Sequence, residues 1–260
     1  MIDNPWFYLF GALAVLMTGI SKGGFAGTFG GMGVPLMSLA IVPTQAAGIM
    51  LPILLAIDAY GIRVFWRAFD RRVLATMIPG AIVGSLVGYF AFGKLDESML
   101  KLLIGTIAVG FPIFNQTRRW LAARAAKTIA PSHPNHLKGG FWCGFSGFTS
   151  FVAHSGAPPY QVYAMPLQLD KFVYTATASI FFAFANAFKI PFYAVLGQFS
   201  TQNLLTALVL CPLVPVGVQA GLWLQRKVKS DAQFYLIGQG LLFLTGCKLL
   251  WDASAGLGLR

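Results

Sequence analysis

Charge is scarce in this chain. Only 10% of its 260 residues are Asp, Glu, Lys or Arg, and 8 of them are acidic. A soluble domain carries about 25% charged residues, so a wholly water-facing exterior is excluded. Cysteine is almost absent. Cys143, Cys211 and Cys247 are odd in number, lie in apolar runs and show no metal-ligand spacing. They read most simply as small packing residues. There are 3 histidines. His133 and His136 share an H-x-x-H spacing, but nearby polar residues offer no third ligand, so a solvated loop is the simpler reading. GxxxxGK[ST] is missing, which argues against ATP-driven transport by this chain alone. The opening MIDNPWFYLF has no basic n-region and no A-x-A site follows, so no cleaved signal peptide is expected. No cofactor is called for.

What the chain has is hydrocarbon. It is 57% hydrophobic with 23 Phe, and several apolar runs approach the roughly 20 residues that cross a bilayer. An all-α polytopic membrane protein with about 7–8 spans follows. The net charge of +11 sits in short loops between those runs, at 63–72, 116–138 and 226–229. That placement is the positive-inside pattern rather than a nucleic-acid footprint. The expected partners are membrane lipids and a small solute, with no nucleic acid and with a homodimer left open.

The most informative stretch is ISKGGFAGTFGGMGVP at 20–35, with six glycines between Gly23 and Gly33 and Pro35 closing it. Each interior Gly costs a helix roughly 1 kcal/mol against Ala, and Pro about 3. Non-helical backbone survives in hydrocarbon only where protein buries it or it lines a cavity, which is where a transporter holds its substrate. Close helix packing needs only about every fourth residue small. Gly80, Gly84 and Gly88 in the run 73–93 have that spacing and read as a packing face.

The chain also repeats. At an offset of 123, Gly24, Phe25, Gly33, Pro35, Pro43 and Gln45 match Gly147, Phe148, Gly156, Pro158, Pro166 and Gln168. At 133, Pro79, Gly84 and Gly88 match Pro212, Gly217 and Gly221. Two homologous halves, 1–115 and 139–260, joined by a basic cytoplasmic connector 116–138, are expected. Loop 63–72 is basic, whereas its counterpart near 197–200 is uncharged. Opposite sidedness of this kind favours inverted repeats. It requires 139–165 to be re-entrant. The competing arrangement makes that segment a full span, with parallel halves. The other expected pieces are 5–19, a half-length 34–42, 46–62, 99–115, 172–196, 201–224 and 233–251.

Three stretches together carry a family resemblance: GISKGGFAG…GGMGVPLMSL at 19–39, LPILLAIDAYGIRVFWR at 51–67, and FFAFANAFKIPFY at 181–193. They are joined by the second break, GFSGFTSFVAHSGAPP. The chain resembles the TauE/SafE sulfite and sulfonate exporters, also called the 4-toluene sulfonate uptake permease family. That resemblance implies a prokaryotic inner-membrane, multi-pass carrier, an exporter of small sulfur anions such as sulfite or organosulfonates. Half two departs from the first motif, with His154, Ser155 and Ala157 where half one has Gly31, Met32 and Val34.

The residues themselves propose a site. Backbone at Gly23, Gly24, Gly31, Gly33 and Gly156 could present N–H donors to an anion, with Ser21 and Ser155 adding hydroxyls. Lys22 and Lys189 are ammonium groups within apolar sequence, expected beside Asn186 and close to the midplane, with snorkelling to the interface as the alternative reading. Asp58, five residues before Arg63, is expected to pair with Arg63 or Arg67, or else to carry protons; His154 is the second proton candidate. Two other classes compete. GFSG at 144–147 looks like the nucleophile motif of rhomboid intramembrane serine proteases, but His154 lies eight residues on, roughly 12 Å along a helix. A non-transporting scaffold would need neither paired glycine breaks nor buried lysines.

Overall fold

The computed structural model describes residues 2, 4–24, 30–125, 132–227 and 231–257. The described residues form helices and no strand. In order these are α1 (Pro5–Gly24), α2 (Gly33–Met37), α3 (Pro43–Phe65), α4 (Arg71–Phe92), α5 (Glu97–Ala125) and α6 (His136–Ala153). They continue with α7 (Ala157–Ala164), α8 (Lys171–Val195), α9 (Thr201–Leu210), α10 (Leu213–Lys227) and α11 (Asp231–Gly256). Five of them are long and apolar enough to cross a membrane, or six if the bent pair α9–α10 is one span. The exterior is apolar, with Trp6, Leu9, Val83, Phe90, Phe141 and Trp223 all exposed, as a multi-pass membrane protein requires.

Helix boundaries follow local chemistry where caps are present. Asp70, Asn135, Asp170 and Ser200 each accept from backbone N–H groups of the helix that follows. Several expected boundaries move. α1 runs through Gly23 and Gly24 before ending; the middle of the first break, 25–29, lies outside the described residues. α5 continues ten residues into the polar connector, to Ala125, because its Arg- and Ala-rich sequence is good helix former. Residues 126–131 of the connector and 228–230 of the basic turn lie outside the described residues. The expected single span 201–224 is bent by 43° between α9 and α10. Pro212 supplies no N–H there and its ring crowds the preceding turn. Pro52, Pro79 and Pro191, by contrast, sit inside continuous helices.

The two broken segments are hairpins. At one end of the bundle Asn4 donates to the Ala40 carbonyl at 3.4 Å, holding the start of α1 beside the end of the α2 segment. At the other end Ser132 N–H donates to the Pro166 carbonyl at 2.8 Å and Asn135 N–H to the Tyr163 hydroxyl at 3.0 Å, closing α6–α7. The second end also holds the α3–α4 turn and the start of α8, through Asp70 N–H to Thr177 Oγ1 (3.0 Å) and Phe65 against Phe172 (5.5 Å). α1 packs mainly on α10 and α6 on α4, while α3 packs on α8 and α5 on α11. The Gly80–Gly84–Gly88 face is what lets α6 in. A Cβ at Gly80 or Gly84 would overlap the carbonyl of Gly140 or Gly144, and one at Gly88 would run into Phe151. Overpacking of that kind costs about 1–3 kcal/mol.

Candidate functional site

The hairpin tips meet in the middle of the bundle. α6 ends at His154, which is left-handed (φ 51, ψ 26) and lets the chain double back into α7. Ser155 donates its hydroxyl to the Gly31 carbonyl at 2.9 Å, tying the second tip to the first. Ser146 bonds the Gly156 carbonyl at 2.6 Å, which braces the corner from inside.

Beside the tips runs a continuous chain of buried polar groups. Lys22, in the last turn of α1, forms an ion pair with Asp58 of α3. Asn186 of α8 donates to the other Asp58 oxygen at 2.5 Å and turns its carbonyl to the Lys189 ammonium at 2.9 Å. Asn186 and Lys189 share one face of α8 through their i, i+3 spacing. Lys189 also donates to the Ser150 carbonyl (2.7 Å) and hydroxyl (2.9 Å), and lies 3.0 Å from His154 Nδ1. His154 Nε2 lies 3.1 Å from the Ala47 carbonyl. A carbonyl can only accept, so Nε2 carries the proton and Nδ1 accepts from Lys189.

Lys189 is 0% exposed and Asp58 5%. A lone ammonium at this depth is expensive, at about 2.5–3.5 kcal/mol on insertion scales. The four acceptors around Lys189 offset that cost, and one of them is the carbonyl-rich C-terminus of α6, where a cation is favoured by the helix dipole.

A cavity reaches this array from one side. It has a volume of about 270 Å³ and is lined by Lys22, Asp58, Tyr60, Phe65, Ser179 and Phe182, among others. Phe65 and Tyr60 belong to the last turns of α3, so the cavity lies toward the end of the bundle that carries Arg63, Arg67, Arg71 and Arg72. Lys22 sits at its inner wall, 5.9 Å from the Phe182 ring centre. A smaller void of about 20 Å³ lies between Lys22, Ser150, His154 and Asn186, room for about one water-sized group.

The structure thus brings together Lys22, Asp58, Asn186, Lys189 and His154, and corrects the expected pairing of Asp58. Asp58 pairs with Lys22 and Asn186, not with Arg63 or Arg67. Arg63 is five residues further along α3, about 140° around the helix at 3.6 residues per turn. Lys189 is sealed within its own acceptors rather than facing a cavity. The Ser155 hydroxyl is occupied by Gly31, so it is a tip-to-tip clasp. Gly31 is small because a Cβ would strike Ser155, and a Cβ at Gly33 would meet Met50. Gly156 packs on Ser146 and Ser150. Gly23 abuts the Val218 backbone while also lining the large cavity. Gly24 ends α1, and Ser21 is buried. Pro35, Pro158 and Pro159, which carry no N–H, fall in the first turns of α2 and α7. Ser150 was missed by sequence reasoning. Its only signal is its place one turn before the second break.

The family model described as "Sulfite exporter TauE/SafE" matches residues 11–249. No curated protein and no solved structure matches the chain.

Proposed function

The chain belongs to the TauE/SafE sulfite exporter family, a family of transporters, and from that premise we propose that it exports small sulfur-containing anions, such as sulfite or organosulfonates, across a prokaryotic inner membrane. Transport is secondary and works by alternating access at the meeting of the two hairpins. The observation that carries this reading is Lys22: a cation at the inner wall of a cavity deep in an apolar bundle, beside the tips of both broken segments. An intramembrane charge marks a substrate path by default. The anion meets Lys22 and the Gly23 edge of the cavity; Lys189, Asn186 and His154 hold that pair in place from behind.

The halves 1–115 and 139–260 act as inverted repeats. Supporting this are the closure of α1–α2 at one end and α6–α7 at the other, and the exchanged pairings α1 with α10 and α6 with α4. The arginine-bearing end is cytoplasmic by the positive-inside rule, so the cavity faces inward. Cysteines placed at Gln225 and Gln198 in a background lacking Cys143, Cys211 and Cys247 should label from the cytoplasmic and outer side respectively. The reverse pattern overturns the orientation.

Nothing in the second break favours a protease. Ser146 is bonded to Gly156, and both His154 nitrogens are taken by Ala47 and Lys189. The deciding experiment is efflux of radiolabelled sulfite and toluene-4-sulfonate from proteoliposomes containing the purified protein. Flux no greater than from protein-free vesicles sinks the reading.

A further inference from the structure

The Lys22–Asp58 pair raises a question that an anion carrier must answer. Lys22 is the cation that the large cavity reaches, yet it already has an anion. An incoming oxyanion at Lys22 would lie against the Asp58 carboxylate, inside a bundle with little water to screen them. Two like charges sharing one partner in such a place are not both kept ionised.

The groups facing Asp58 can be named element by element. α1 supplies Lys22, and α8 supplies Asn186 with Lys189 behind it. The α6 corner supplies His154, which faces Lys189 rather than Asp58. α10 lines the cavity with Val218 and Leu222. α2 and α9 carry no ionisable side chain, and on α5 Glu97 and Lys101 pair with each other. The other cation, Lys189, reaches Asp58 only through the Asn186 amide and is already held by Ser150, His154 and Asn186, so among the described residues no second cation pairs directly with Asp58 once Lys22 turns to substrate.

Resting on the transport reading above, we propose that Asp58 is the carrier's own tethered anion, which yields Lys22 to the transported anion only by taking up a proton. The step is balanced. A proton entering through the large cavity adds to the Asp58 oxygen that faces Lys22, the ion pair breaks, and the Lys22 ammonium pairs with the incoming oxyanion. The other Asp58 oxygen stays on Asn186 Nδ2. At the far side the anion leaves, Asp58 releases its proton to water, and the pair re-forms. Lys22 is therefore never unpaired, and the loaded and empty forms carry the same charge when the anion is monovalent. One proton crosses with each such anion, in the same direction.

The test uses full-length protein in proteoliposomes, with radiolabelled sulfite as probe and a trapped pH dye. Chloride and nitrate serve as control anions. In the wild type, anion and proton fluxes are expected to rise together and to increase as pH falls. In Asp58→Asn, Lys22 has no anion of its own on the empty return. Net efflux should fall by at least about tenfold, on the scale of an unpaired intramembrane cation, while sulfite–sulfite exchange persists without proton movement. Difference infrared spectra of the wild type should gain a carboxylic-acid carbonyl band when sulfite is added. This readout does not depend on how well a variant folds. Sulfite transport with proton flux intact in Asp58→Asn, or with no carboxylic-acid band in the wild type, overturns the proposal and leaves the function standing. Coupled movement of chloride or nitrate but not of sulfite supports Asp58 and removes the sulfur-anion reading. No movement of any anion removes both.

Discussion

Lys189→Met is expected to destabilise the protein by about 3–5 kcal/mol, the range seen when one partner is taken from a buried charged network. The methionine fills much the same space, so little of the loss is cavity formation. What it leaves behind is the Ser150 carbonyl and hydroxyl, the Asn186 carbonyl and His154 Nδ1, all buried and all stripped of their donor. Each such group costs about 1–3 kcal/mol when left unsatisfied, though relaxation keeps the sum below simple addition. The measurement is thermal unfolding in detergent, followed by size exclusion. A wild-type melting temperature in Lys189→Met would show that the ammonium does not hold the α6 corner. Lys189→Arg should also destabilise, since a guanidinium is larger than the sealed space and is planar where the acceptors surround a point.

Lys22→Gln is expected to act differently, abolishing sulfite efflux while its effect on folding depends on Asp58. Alone it strands a buried carboxylate, which costs several kcal/mol. Combined with Asp58→Asn it leaves two neutral side chains able to bond each other, and most of the stability should return. Transport should not return, because neither residue then attracts an anion. A double-mutant cycle on melting temperature and on efflux separates the two roles: strong coupling in stability, none in rescue of flux. Recovery of efflux in the double variant would remove Lys22 from the substrate path.

Much of this arrangement was legible in the residues. The apolar runs, the basic loops and the glycine breaks are one-dimensional signals, and the family resemblance drawn from them agrees with the family match. Lys22, Asp58, Asn186, Lys189 and His154 all stood out because polar groups in apolar sequence need partners. The choice of partner was not legible. Arg63 is nearest to Asp58 in sequence but faces away around the helix, whereas Lys22 is 36 residues distant and arrives by way of the hairpin. Nor does proline reveal its own effect. Pro79 and Pro212 match in the repeat, yet the first lies in a continuous helix and the second at a 43° bend. Ser155 looked like a donor for an anion. Its actual acceptor, Gly31, lies 124 residues away and is a backbone atom, which no pattern of side chains announces.

The pairing of α1 with α10 has a consequence for how the protein is made. α1 is complete at Gly24, but α10 begins only at Leu213. At about 5–20 residues per second, the first hairpin waits on the order of ten to forty seconds for the surface against which it packs. During that interval Gly19 and Gly23, shaped to admit the α10 backbone, face lipid or a chaperoning insertase. The second hairpin meets no such delay, since α4 is already in the membrane when α6 emerges. Biogenesis is therefore lopsided in time, with the glycine-rich opening segment waiting longer for its partner helix than the second hairpin does.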